Sequence, residues 1–137
     1  MSTGLLHLHH YLPFVFLFLL LFSVYKAATN KIEDASKDKI LLATMILAHI
    51  QLLLGIILLF PFPEVEMGVI MKDAARRFKY IEHPSLMFIG VLLITIGRSK
   101  AKKMADSIKA NKIILVTFLI ALIVICIRIP WDKLLNF

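Results

Sequence analysis

The sequence predicts an all-α integral membrane protein: one domain over residues 1–137, folded as an up-down-up-down antiparallel four-helix bundle. Three observations predict it. The 137 residues are 60% hydrophobic, with a mean hydropathy of +0.86, too apolar for a soluble domain. Four apolar segments each approach the ~20 residues that cross a bilayer as a helix. The connections between them are short, which makes consecutive helices antiparallel neighbours.

The first span covers residues 5–25. Its apolar run is longer than that of a signal peptide, no Lys or Arg precedes it, and no small-residue cleavage site follows, so it reads as a retained span. Residues 27–39 are polar with alternating charge and form a connection. The second span covers 40–60, and Pro61-Phe62-Pro63 stops it, because proline cannot continue the helical hydrogen-bond ladder. Residues 64–79 return the chain to the third span, 80–97. The later part of that return, 71–78, reads as helical, either lying at the interface or extending the third helix outward. A strongly basic turn, 99–112, leads to the fourth span, 113–129. Trp131 follows Pro130, where interfacial aromatics collect. The lone Cys126 excludes a disulfide framework and reads as an apolar filler of the fourth span.

The net charge of +7 does not point to nucleic acid, because the cations sit in the connections. Four spans make the chain alternate sides. Lys26, Lys31, Lys37, Lys39, Arg98, Lys100, Lys102, Lys103, Lys109 and Lys112 fall on one side. Lys72, Arg76, Arg77, Lys79, Arg128 and Lys133 fall on the other. Ten against six places the first group in the cytoplasm by the positive-inside rule and both termini in the periplasm of a bacterial inner membrane. The clusters read as topology signals and lipid headgroup anchors.

The candidate site rests on the histidines. An ionisable side chain in hydrocarbon is costly, so an intramembrane histidine is a functional-site hypothesis, and imidazole is suited to holding haem iron. His7, His9 and His10 lie near the start of the first helix and His83 near the start of the third. Those two helices enter from the same side, so at 1.5 Å per residue both groups sit at most about 10 Å below one interface. Two imidazoles at matching depth on two helices are what a six-coordinate haem requires. His7 and His10 share a face with Phe14, Leu17 and Leu21, whereas His9 lies with Leu12, Phe16 and Leu20. The pattern leaves open which face looks inward.

His83, Met87, Gly90, Ile94 and Gly97 form one stripe of the third helix. Its glycines leave room either for a flat macrocycle or for close helix packing. Arg76, Arg77 and Lys79 precede His83 where the propionates of a haem at that depth would emerge. Glu82 is a candidate acceptor for an imidazole N–H. His49 lies near the midplane with no histidine, cysteine or methionine at comparable depth to complete a second bis-liganded site; it is a candidate to hydrogen-bond a cofactor edge, carry a proton or bind an iron from one side only. Thr44, Ala48, Gln51 and Gly55 make a small, weakly polar face suited to the bundle interior. No Gly-rich phosphate loop, Ser-His-Asp order, buried acidic pair or broken helix points to another chemistry.

The runs Thr3-Gly4-Leu5-Leu6-His7-Leu8-His9 and Ala48-His49-Ile50-Gln51-Leu52-Leu53-Leu54-Gly55 resemble the small four-helix membrane proteins of Bacteroidetes labelled "cytochrome B". So do Met71-Lys72-Asp73, Arg77-Phe78, Glu82-His83, Ile94-Thr95-Ile96-Gly97-Arg98-Ser99-Lys100 and Ile129-Pro130-Trp131. That resemblance implies a haem b-binding inner-membrane protein. More distantly, the layout is similar to one half of a haem A synthase, with Gln51 and Gly55 matching a Gln-x-x-x-Gly pattern, His83 at the second ligand position and His7 or His9 at the first. The Glu-x-His-Arg form around the first histidine is missing. The expectation is a haem b protein with iron ligands His83 and His9, or His7 in place of His9, passing electrons within a larger respiratory or envelope complex. The alternative is a cofactor-free accessory subunit packed against a larger membrane protein complex. Either reading makes a stand-alone enzyme the lesser expectation.

Overall fold

The structure is a computed structural model that describes residues 3–60, 62 and 64–135. Helices α1 (Thr3–Ala28), α2 (Lys39–Leu59), α4 (Ala74–Lys102) and α5 (Ser107–Ile127) are each long and apolar enough to cross a membrane. Two short helices, α3 (Met67–Lys72) and α6 (Trp131–Leu135), lie at one end. The four long helices pack in a ring, each against its neighbours in chain order and α5 back against α1. This is the expected antiparallel four-helix bundle in an apolar, bilayer-suited form.

Local chemistry sets the boundaries. Asn30 takes a positive φ of 54° at the end of α1. Asn30 N–H donates to the Ala27 carbonyl and Lys31 N–H to the Lys26 carbonyl, a Schellman cap that stops the helix. Asp38 starts α2 by accepting from the Ile40 and Leu41 N–H groups, and its other oxygen pairs with Lys26 at 2.6 Å. Asp106 starts α5 by accepting from the Ile108 N–H. Pro61 and Pro63, expected to stop α2, lie outside the described residues; the helix ends at Leu59.

The third helix is longer than its apolar run. Residues 71–78 belong partly to α3 and partly to α4, which extends the third span outward through a π-helical turn at Phe78–Glu82. Pro84 gives the reason. It has no N–H to donate to the Tyr80 carbonyl and its ring crowds that carbonyl, so the backbone widens by one residue just before it. The His83 N–H then reaches back five residues to the Phe78 carbonyl. At the other end α4 runs on to Lys102, so the basic turn expected over 99–112 narrows to four residues, 103–106.

The core is a stripe on each helix: Phe16, Leu20, Ser23 and Ala27 of α1; Leu41, Thr44 and Ala48 of α2; Gly90, Ile94, Gly97 and Ala101 of α4; Ile114, Phe118, Ala121 and Ile125 of α5. Asn111 is buried and clamps the first connection by donating to the Ile32 carbonyl and accepting from its N–H. Cys126 is a free, half-buried thiol, less enclosed than an apolar filler.

Candidate cofactor site

The inward stripe of α1 separates His9 from His7. Phe16 and Leu20 are buried, so the face that carries His9 looks inward. His9 lines a cavity of about 450 Å³ at the end of the bundle where α1 begins and α3 and α6 lie. His83 lines the same cavity from α4. The two imidazoles come from non-consecutive helices and border one cavity. His10 also borders the cavity.

Each ring is oriented by a second group. His83 Nδ1–H donates to the Arg128 carbonyl over 2.6 Å, which leaves the lone pair on Nε2. That carbonyl belongs to the end of α5, where the last turn of a helix lacks intrahelical donors. Phe78 stacks beside the same ring, with centroids 6.0 Å apart and planes 22° from parallel. Gln51 of α2 donates from Nε2 to the His9 carbonyl at 2.8 Å and to His9 Nδ1 at 3.0 Å. One turn along α2, Gly55 makes room for the His9 ring: a Cβ there would stand 3.2 Å from Cε1.

The walls are apolar, with Phe16, Leu52, Met87, Val91, Ile125 and Ile129 prominent among them. Lys79 and Lys133 stand exposed among the lining residues, and neither forms an ion pair among the described residues. An apolar cavity of this size with a few convergent polar groups matches the general form of cofactor sites, about 300–1,000 Å³. Its donor set, two imidazoles at a membrane end, suits haem iron. Among the described residues no group of three or more His, Cys, Asp or Glu side chains is placed to hold a bare metal ion.

The structure places the other expected site residues elsewhere. His7 is exposed and makes an edge contact with Tyr11. His49 faces outward at the α2–α4 seam; its Nδ1 bonds the Met45 carbonyl at 2.8 Å and its Nε2 lies 3.2 Å from the Thr95 hydroxyl. It joins two helices and does not line the cavity. Gly90 packs against α5, where an added Cβ would come within 2.6 Å of Ile125, so its missing side chain is filled by a neighbouring helix. Arg77 is held by Glu82 at 2.8 Å and by the Met71 carbonyl, and Arg76 pairs with Asp73 at the surface. Glu82 pairs with Arg77 and Arg128 and leaves His83 to the Arg128 carbonyl.

Lys133 and the Arg128 carbonyl entered the site without warning from the sequence, because both depend on how α5 ends. Gln51 carried a signal that was available. Pro13 follows His9 by four residues and cannot supply the N–H its carbonyl needs, which marks that carbonyl for a side-chain donor. No family model, curated protein or solved structure matches this chain.

Proposed function

We propose that the chain is a haem b-binding protein of a bacterial inner membrane, with His9 and His83 as the iron ligands. Its role is to pass electrons within a larger respiratory or envelope complex. The observation that carries this reading is that imidazoles from α1 and α4 line one apolar cavity. Haem held there supplies one-electron redox chemistry, while the protein sets its position and surroundings. His83 offers an Nε2 lone pair because its Nδ1–H is held by the Arg128 carbonyl. Lys79 and Lys133 are exposed cations at the mouth that can pair with carboxylates there, and the walls around the two imidazoles are apolar.

A dithionite-reduced minus oxidised spectrum of the purified protein tests the reading. Protein from haem-replete cells should give the Soret and α-bands of low-spin haem b, and a well-folded sample with neither overturns it. His83→Ala and His9→Ala should each abolish the low-spin form, whereas His7→Ala should leave it unchanged. The competing reading is a cofactor-free accessory subunit packed on a larger membrane complex. What favours it is that both imidazoles already tie helices together, His9 through Gln51 and His83 through Arg128. The same spectrum separates the two.

A further inference from the structure

Gln51 holds His9 in a way that bears on which nitrogen the ring presents. In a regular helix the N–H of residue 13 would donate to the carbonyl of residue 9, but residue 13 is proline. The freed His9 carbonyl takes its hydrogen bond from Gln51 Nε2 at 2.8 Å. The same nitrogen lies 3.0 Å from His9 Nδ1. An amide nitrogen can only donate, so Nδ1 accepts and the proton of the neutral ring sits on Nε2. Gln51 Oε1, the other end of the amide, is buried with no partner. An unpaired buried acceptor is costly and calls for an explanation.

Ligation requires the opposite tautomer, with the lone pair on Nε2 and the proton on Nδ1. His83 already has that form. We propose that Gln51 is a positioning residue for His9, whose amide exchanges its two ends so that Oε1 accepts from Nδ1–H when Nε2 ligates. The proposal rests on the haem reading above. Protons balance: Nε2 gives one up as the nitrogen–iron bond forms, Nδ1 gains one, and the imidazole stays neutral. The exchange gives Oε1 a donor and turns the amide N–H groups to the side where Oε1 had no partner. It gives up the bond to the His9 carbonyl, which Pro13 leaves with no helical replacement. Pro13 and the ligating form of Gln51 therefore oppose each other, and that opposition can be tested.

Nitrogen-15 NMR of the His9 ring in detergent, with and without ferrous haem, reads the tautomer directly. The haem-free wild type should show Nε2–H and the haem-loaded protein Nδ1–H. Pro13→Ala restores the helical donor to the His9 carbonyl and releases the amide, so its haem-free form should shift toward Nδ1–H and it should bind haem more tightly. Gln51→Leu removes both ends and should weaken haem binding about tenfold, the usual cost of losing a group that orients a metal ligand. If Gln51→Leu does not fold, Pro13→Ala, which adds a helix hydrogen bond, carries the test. A haem-binding wild type that already shows Nδ1–H without haem, or a Pro13→Ala tautomer like the wild type, overturns the role of Gln51 alone. A wild type that takes up no haem overturns the functional reading and the exchange with it.

Discussion

His83 ends a helix as well as lining the cavity, and the two roles can be separated. Its Nδ1–H supplies the donor that the Arg128 carbonyl lacks at the end of α5. His83→Ala leaves that carbonyl short of a donor and should destabilise even the haem-free protein by about 1–3 kcal/mol. His83→Asn offers an amide N–H near the same place and should restore most of that stability while restoring no low-spin haem. Denaturant unfolding in detergent beside the reduced-minus-oxidised spectrum checks both. Equal stability of His83→Ala and wild type would remove the capping role. Gly55 acts through His9 in a similar local way. A methyl at Gly55 would stand 3.2 Å from Cε1, tight enough that the ring must give by a few tenths of an ångström. If haem sits as proposed, Gly55→Ala should therefore shift its α-band and g-values, with the protein still folded.

Among the helices, the closest packing joins α4 to α5, and glycine makes it possible. A Cβ on Gly97 would overlap the Thr117 side chain, and one on Gly90 would press on Ile125. Gly97→Ala should cost about 1–3 kcal/mol, the usual range for overpacking a filled core, read as a lower melting temperature in detergent. The stripe through His83, Gly90 and Gly97 was legible from spacing, because helical periodicity fixes a common face. What that face meets was not, since a gap left by glycine looks the same whether a cofactor or a neighbouring helix fills it. The same division runs through the site. Four apolar runs gave the bundle and put His9 and His83 at one depth. The choice of His9 over His7 needed Phe16 and Leu20 to be seen buried. The basic residues before His83 were assigned by proximity in sequence alone. The π turn ahead of Pro84 and the Arg77–Glu82 pair then left Lys79, not Arg76 or Arg77, beside the cavity.

For the molecule as a whole, the cavity sits at one end of the bundle, so its function depends on which side of the membrane that end faces. The charge imbalance gives a direction. The far end of the bundle, helix ends and connections together, carries ten of the 16 Lys and Arg residues and the cavity end six, so the positive-inside rule predicts a cavity that faces outward, to the periplasm. A redox centre there would exchange electrons near the outer face, and its lysine-flanked mouth would meet periplasmic partners or outer-leaflet headgroups. Single cysteines test this in a Cys126→Ser background. Glu66 caps α3 at the cavity end and is exposed, its side chain making no bond to the first turn of that helix; Ala105 is exposed in the turn between α4 and α5 at the other end. With a membrane-impermeant maleimide, Glu66→Cys should label in spheroplasts, and Ala105→Cys only after the membrane is opened. The reverse pattern would turn the bundle over and place His9 and His83 on the cytoplasmic side. It would leave the cavity's chemistry unchanged but assign it a different set of electron donors.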